Sequence, residues 1–354
     1  MQTIQSFRLT SVLGVVLAAM PAGAQSLVMS LPRQSQRASV SQRIALTDVT
    51  VTYHRPLVDG RKIFGGIVPY GQVWRAGANE NTVIEFGDPV VIEGQVLPKG
   101  QYGLHMIPTA DSWTIIFSKN STSWGSFSYD SKEDALRVTV KPATGDMHEA
   151  MTYEFDDVKP DSAVLTLRWE KLAVPIQIAV DRETTIANIR NELRNTAQYT
   201  WEGWNDAADW CAQNKANLDE GLRWASRSIE IEDRFENETT KSQILAAMNR
   251  QADAAAAHTK ALQKADAIQL YSAGRQLHLQ GKKAEAMEMY KMVVTKYPDH
   301  WVSHLAKTRL DVAAGDYAGA LKEIQAAVEG CPEVNKASLR ALEKRVENKE
   351  DINA

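Results

Sequence analysis

Hydrophobic and polar residues alternate at two different periods along this chain, and the change falls near residue 181. Upstream the period is two. Val49, Val51 and Tyr53 alternate with polar neighbours, as do Tyr102, Leu104 and Met106. Short apolar runs at 83–86, 90–92, 113–117, 136–140, 151–155, 164–169 and 172–178 bring the series to about nine segments, with turns such as Gly87-Asp88-Pro89 and Pro98-Lys99-Gly100 between them. Alternation sets one face of each strand against a core, and regular turns without a helical period predict an antiparallel β-sandwich over 42–181. The polar residues 25–41 predict a flexible lead-in.

Downstream the period lengthens to that of helices. Ile186, Ile189 and Leu193 share one helical face, so 182–200 is expected to hold a linking helix. Gly221, Ala254, Ala286 and Ala320 then recur at intervals of 33, 32 and 34 residues. Gly274, Gly281, Tyr290, Val293 and Pro298 surround the third of these positions, and Gly315, Ala327 and Pro332 surround the fourth. This pattern over 201–350 resembles about four tetratricopeptide repeats, with 336–346 as a capping helix. Small residues let paired helices approach closely, and units that cannot bury an apolar face alone stack on one another. The resemblance implies a protein partner bound through the repeats. Cys211 falls in the first unit and Cys331 after the fourth, too far apart for a disulfide, so two reduced, buried thiols are expected. Trp201, Trp204, Trp210 and Trp224 cluster in the first unit and are read as core, the alternative being a groove for an extended peptide.

One stretch obeys neither period. Residues 53–82 hold five Gly, two Pro and three Arg together with Ile63, Phe64, Ile67, Val68 and Trp74. So many apolar groups cannot stay in water, so the stretch must fold back on the sheet as a long ordered loop. It would lay a polar cluster beside the sheet. Arg75 offers a planar fork to a carboxylate or phosphate, Asn79 an amide, and Glu80 a carboxylate that serves as ligand or general acid/base. Arg55, Arg61 and His105 complete the candidate ligand-binding set. The competing reading is structural: these side chains satisfy loop carbonyls or each other. His54 and His105 are also weak candidates for metal ligation with Glu80, although no spacing links them as a zinc motif would. Alternation turns His105 away from the core if Leu104 points inward.

The segments RPLVDGRKIFGGIVPYGQVWRAGANENT, LPKGQYGLHMIP and SWTIIFS resemble a bacterial family known as domain of unknown function 2911, over residues 38–181. The resemblance implies an exported protein, in some members with helical repeats after the β domain. It implies no activity, substrate or cofactor. The chain departs from the family's pattern at His54 and His105, which weakens a metal reading of either.

The 354 residues carry a net charge of only -4 and no extended basic run, which argues against a broad nucleic-acid footprint. No glycine loop suited to cradling phosphate precedes a helix, and no cofactor is expected. Arg8, the apolar run 9–20 and Ala22-Gly23-Ala24 predict a signal peptide cut after Ala24. The run is too short to span a bilayer, and no other span is apparent. A periplasmic or secreted binding and scaffolding protein of the cell envelope is therefore expected, with the β domain taking a small anionic or envelope-derived ligand. The alternative is a hydrolase acting on an envelope polymer, with Glu80 as general acid/base and Arg75 as anion clamp.

Overall fold

The computed structural model describes residues 32–353; the expected signal peptide, 1–24, lies outside them. The chain divides into two units between Val180 and Asp181.

In the first unit the two-residue alternation becomes strands. Val49, Val51 and Tyr53 are buried in β2 (Thr47–Arg55), while Asp48, Thr50 and Thr52 point the other way. The remaining strands are β1 (Gln36–Ile44), β3 (Val83–Phe86), β4 (Val90–Ile92), β5 (Gln95–Leu97), β6 (Gly100–Pro108), β7 (Trp113–Ser118), β8 (Asp134–Val140), β9 (Ala143–Asp156) and β10 (Ser162–Ala179). They form two antiparallel sheets, ordered β1-β2-β3-β6-β7-β8 and β5-β4-β10-β9. Phe86, Trp113, Phe117, Tyr153 and Trp169 fill the shared core.

Two elements differ from expectation. Residues 36–41, read as part of a flexible lead-in, belong to β1, which pairs along its whole length with β2. Its inner face presents Ala38, Val40, Gln42 and Ile44, so its apolar signal is weak, as suits an edge strand. The runs 164–169 and 172–178, read as two strands, are one. Glu170 adopts a left-handed φ of 56°, and the register with β9 shifts on either side of it. A β-bulge thus bends a continuous strand where the apolar pattern appears to break.

The excursion between β2 and β3 folds back as expected. Ile63, Phe64, Val68 and Ala76 are buried, the Phe64 ring lies 5.0 Å from Trp113, and Trp74 stacks on Trp169 at 6.0 Å. Trp74 exchanges backbone hydrogen bonds with Met106 of β6, both 2.8 Å.

The second unit is helical: α1 (Arg182–Glu192), α2 (Trp201–Asn214), α3 (Leu218–Ile231), α4 (Phe235–Ala247), α5 (Gln251–Lys264), α6 (Ala267–Leu279), α7 (Lys283–Lys296), α8 (Trp301–Ala314), α9 (Tyr317–Gly330) and α10 (Glu333–Glu347). From α2 onward the helices pack in consecutive pairs, and α10 packs on α9 as a cap. The first helices of the pairs begin at 201, 235, 267 and 301, steps of 34, 32 and 34 residues. Gly221, Ala254, Ala286 and Ala320 each occupy the fourth position of a second helix, and all are buried. The contact they permit is close: a Cβ on Gly221 would sit 2.7 Å from Cys211 Cβ, and one on Gly274 would sit 2.7 Å from the Tyr290 ring. Cys211 and Cys331 are free and buried, and burial pushes the Cys211 thiol up to about 11. Among the described residues no helix is long and apolar enough to cross a membrane.

Candidate functional site

Strand register sets a row of side chains on the outer face of the six-stranded sheet. Arg37 pairs with His54, Thr52 with Val83, Val83 with Gly103, and His105 with Ile116. The polar end of the excursion, 78–81, and the loop 119–130 close over this face. A groove of about 680 Å³ lies at its β1–β2 side. Arg33, Arg37, Thr52, His54, Glu80 and Asn81 line it together with Ser121, Thr122 and Ser123.

Glu80 is the hub of this groove. Arg33 Nη1 donates to its Oε1 at 2.6 Å, and His54 Nε2 lies 3.3 Å from Oε2 without the alignment of a hydrogen bond. Partial burial works to raise the Glu80 pKa. The Arg33 hydrogen bond and the charges of His54 and Arg33 outweigh it, so the carboxyl titrates below its ordinary range. Burial lowers the His54 pKa, Glu80 opposes this, and Arg33 and Arg37 add to it. At neutral pH the groove therefore presents a neutral imidazole, two guanidinium groups and one carboxylate. Asn81 donates to the Asn120 carbonyl at 3.3 Å, while its Oδ1 and His54 Nδ1 have no hydrogen-bond partner among the described residues.

Arg75 does not pair with Glu80. Its Nη1 donates to the Asn79 carbonyl, its guanidinium lies 5.4 Å from the Phe127 ring centroid, and the Gly125 backbone presses against it. Asn79, at φ 58°, donates its amide to the Ser35 carbonyl. Arg55 reaches the Met151 carbonyl and Thr152 Oγ1, and Arg61 closes its own turn on the Leu57 and Val58 carbonyls. These four side chains fasten the excursion, and Arg61, Arg75 and Asn79 also line a second cavity of about 300 Å³. Ala76, forced to φ 51°, completes the clasp: its carbonyl accepts from Thr82 Oγ1 and from the buried Tyr153 hydroxyl.

His105 faces outward, as alternation requires, but the loop 119–130 covers it to 3% exposure. Its Nδ1 lies 2.9 Å from Ser126 Oγ, and its ring 5.4 Å from Tyr129, whose hydroxyl donates to Asp134. Burial lowers its pKa to about 4, against the pull of Asp134. His54 and His105 thus have separate surroundings, and among the described residues no group of three His, Cys, Asp or Glu is placed to hold a metal ion. Sequence reasoning missed Arg33, Arg37 and the covering loop. The serine-spaced aromatics Trp124, Phe127 and Tyr129 were its available signal. Trp124 is 53% exposed and Phe127 83%, and Arg33 lies 5.8 Å from the Trp124 ring.

In the repeats, a cleft of about 410 Å³ is lined by Phe235, Thr239, His258, Leu262, Gln276 and Met289.

Residues 35–178 match the family model described as protein of unknown function (DUF2911). The match begins just before β1 and ends within β10, so it covers the β unit and leaves the repeats outside. The matched region therefore contains the clasp, the covering loop and the groove lining except Pro32 and Arg33, which precede it. No curated protein matches the chain. Among solved structures it is similar to YrrB, a TPR protein with an unusual peptide-binding site, at 11% identity, over 47% of this chain and 86% of that one, with a TM-score of 0.26.

Proposed function

We propose that this is an exported, non-catalytic binding and scaffolding protein of the cell envelope. Its repeats engage a protein partner, and its DUF2911 domain holds a small anionic, hydroxyl-rich ligand of the kind an envelope polymer supplies. The observation that carries the ligand assignment is the groove of about 680 Å³ in which Arg33 and Arg37 outnumber the single carboxylate of Glu80 and Ser121, Thr122 and Ser123 join the lining. Arginine forks suit carboxylate or phosphate, and the hydroxyls and the Asn81 amide suit sugar oxygens. Export is supported by Arg8, the apolar run 9–20 and the Ala22-Gly23-Ala24 site. The partner assignment rests on stacked helix pairs at a tetratricopeptide period, which present extended surfaces.

The hydrolase reading has less support. A general acid works best with a pKa near the operating pH, whereas the Glu80 pKa is lowered and its carboxylate is tied to Arg33. The Arg75 clamp that reading needs is spent on the Asn79 carbonyl.

A thermal-shift screen of the chain from residue 25 onward tests the ligand. Glucuronate and inorganic phosphate are the first probes, with neutral glucose as control. Ligand at about 100 times its dissociation constant adds about 2.7 kcal/mol. A shift with glucuronate or phosphate that is lost in Arg37→Ala supports the proposal. No shift with either anion, in a folded protein, refutes it.

A further inference from the structure

The last described residues of the chain do not trail into solvent. After α10, Lys349 adopts φ 55° and the backbone reverses, with Arg345 holding the Glu350 carboxylate at 3.0 Å and the Asp351 carbonyl at 3.3 Å. Segment 350–353 then crosses to α8. Arg309 Nη1 donates to the Ile352 carbonyl at 2.6 Å and to Asn353 Oδ1 at 3.2 Å, and Asn353 Nδ2 returns a bond to the Arg309 carbonyl at 2.9 Å. Ile352 is 2% exposed and packs with Val312, Ala320 and Val346. Arg309 itself is buried and aimed by Tyr271 of the neighbouring first helix α6, whose hydroxyl accepts from Nε at 2.6 Å. His278, also on α6, is buried with both ring nitrogens unpartnered among the described residues.

This is how a peptide site is built. A positioned guanidinium reads a backbone carbonyl and a carboxamide together. A helix carbonyl reads the carboxamide's N–H. An apolar pocket takes the preceding aliphatic side chain. We infer that the face formed by Arg309, Tyr271 and the Val312–Ala320–Val346 pocket is a recognition site for an extended segment with a branched aliphatic residue followed by Asn. The chain's own 350–353 is its resident occupant, and a partner carrying the same pair competes with it. The inference rests on reading the repeats as a binding surface and names one site on them. A partner held elsewhere on the repeats would leave that reading standing if this site failed.

The test uses two forms of the protein, the full chain and one stopped after Lys349, and a fluorescent peptide of residues 349–353. Anisotropy should show the peptide binding the shortened chain and not the full one. Asn353→Ala in the peptide should weaken binding about tenfold or more, the effect of losing hydrogen bonds to a charged group. If the shortened chain loses its helical circular dichroism, full-length chain carrying Ile352→Ser and Asn353→Ala takes its place, and the peptide should bind that instead. Absence of binding to a folded, opened form overturns the inference. So does equal binding to opened and unopened forms, since the tail would then be a cap that hides no site.

Discussion

The excursion of the β unit and the last repeat each hold a chain segment in place with an arginine, and they do so in opposite ways. Arg75 serves a segment that is its own: it fastens the Asn79 carbonyl four residues on, and the loop 119–130 lies across it. Arg309 serves a segment more than forty residues away in sequence, through side-chain and backbone groups that another peptide could supply. Local fastening makes a rigid wall. Remote fastening makes an occupied site. The proposed ligand site follows this difference: Arg33 and Arg37 line the β-unit groove, and Arg75 does not.

The rigidity of that wall can be broken most severely at Gly103. A Cβ there would stand 2.4 Å from the Asn120 carbonyl and near Asn81 and His105. A backbone oxygen cannot turn aside, so Gly103→Ala should cost the β unit about 3 kcal/mol in denaturant unfolding. Acid acts on the same wall. The His105 pKa is lowered from 6.5 in the unfolded chain to about 4. Below pH 6.5 the unfolded state binds a proton that the folded state refuses. Stability present above that pH is therefore lost as pH falls to about 4, by on the order of 3 kcal/mol. His105→Gln should flatten that part of the stability profile. On the repeat side the matching glycine is Gly221, whose added Cβ would meet Cys211 Cβ at 2.7 Å. Here a helix pair can slide apart slightly, and Gly221→Ala should cost about 2 kcal/mol. The smallest effect on stability belongs to Glu80→Gln. Its ion pair with Arg33 is 41% exposed on the Glu80 side, so thermal unfolding should move by less than about 1 kcal/mol.

The same contrast explains what could be read from the sequence. The repeats were legible because packing imposes a period: a small residue every 32 to 34 positions marks where helices touch. The strands were legible wherever one face is apolar, and β1 escaped because Ala38 and Val40 say little beside Ser39, Ser41 and Arg37. The site was legible only as a list. Sequence placed Arg75, Asn79 and Glu80 beside the sheet. It could not show that Arg75 turns to the Asn79 carbonyl, because a left-handed turn at Asn79 sets that contact, nor that Glu80 turns to Arg33, because that contact depends on chain brought in from elsewhere. Arg33 comes from a polar lead-in and Ser126 from a loop without a period. Arg309 carried no mark of its own, since an arginine on an amphipathic helix ordinarily faces water.

Calorimetric titration of glucuronate and of phosphate into the wild-type protein, Arg37→Ala and Arg75→Ala tests the central claim most directly. Arg37 lines the groove and is exposed, so its loss should leave the fold intact. The account predicts that at least one anion binds the wild type, that Arg37→Ala binds it about tenfold more weakly or worse, and that any Arg75→Ala protein that stays folded keeps most of the affinity. Equal affinity in wild type and Arg37→Ala, or affinity that vanishes with Arg75 alone, would contradict it and move the ligand to the other side of the clasp.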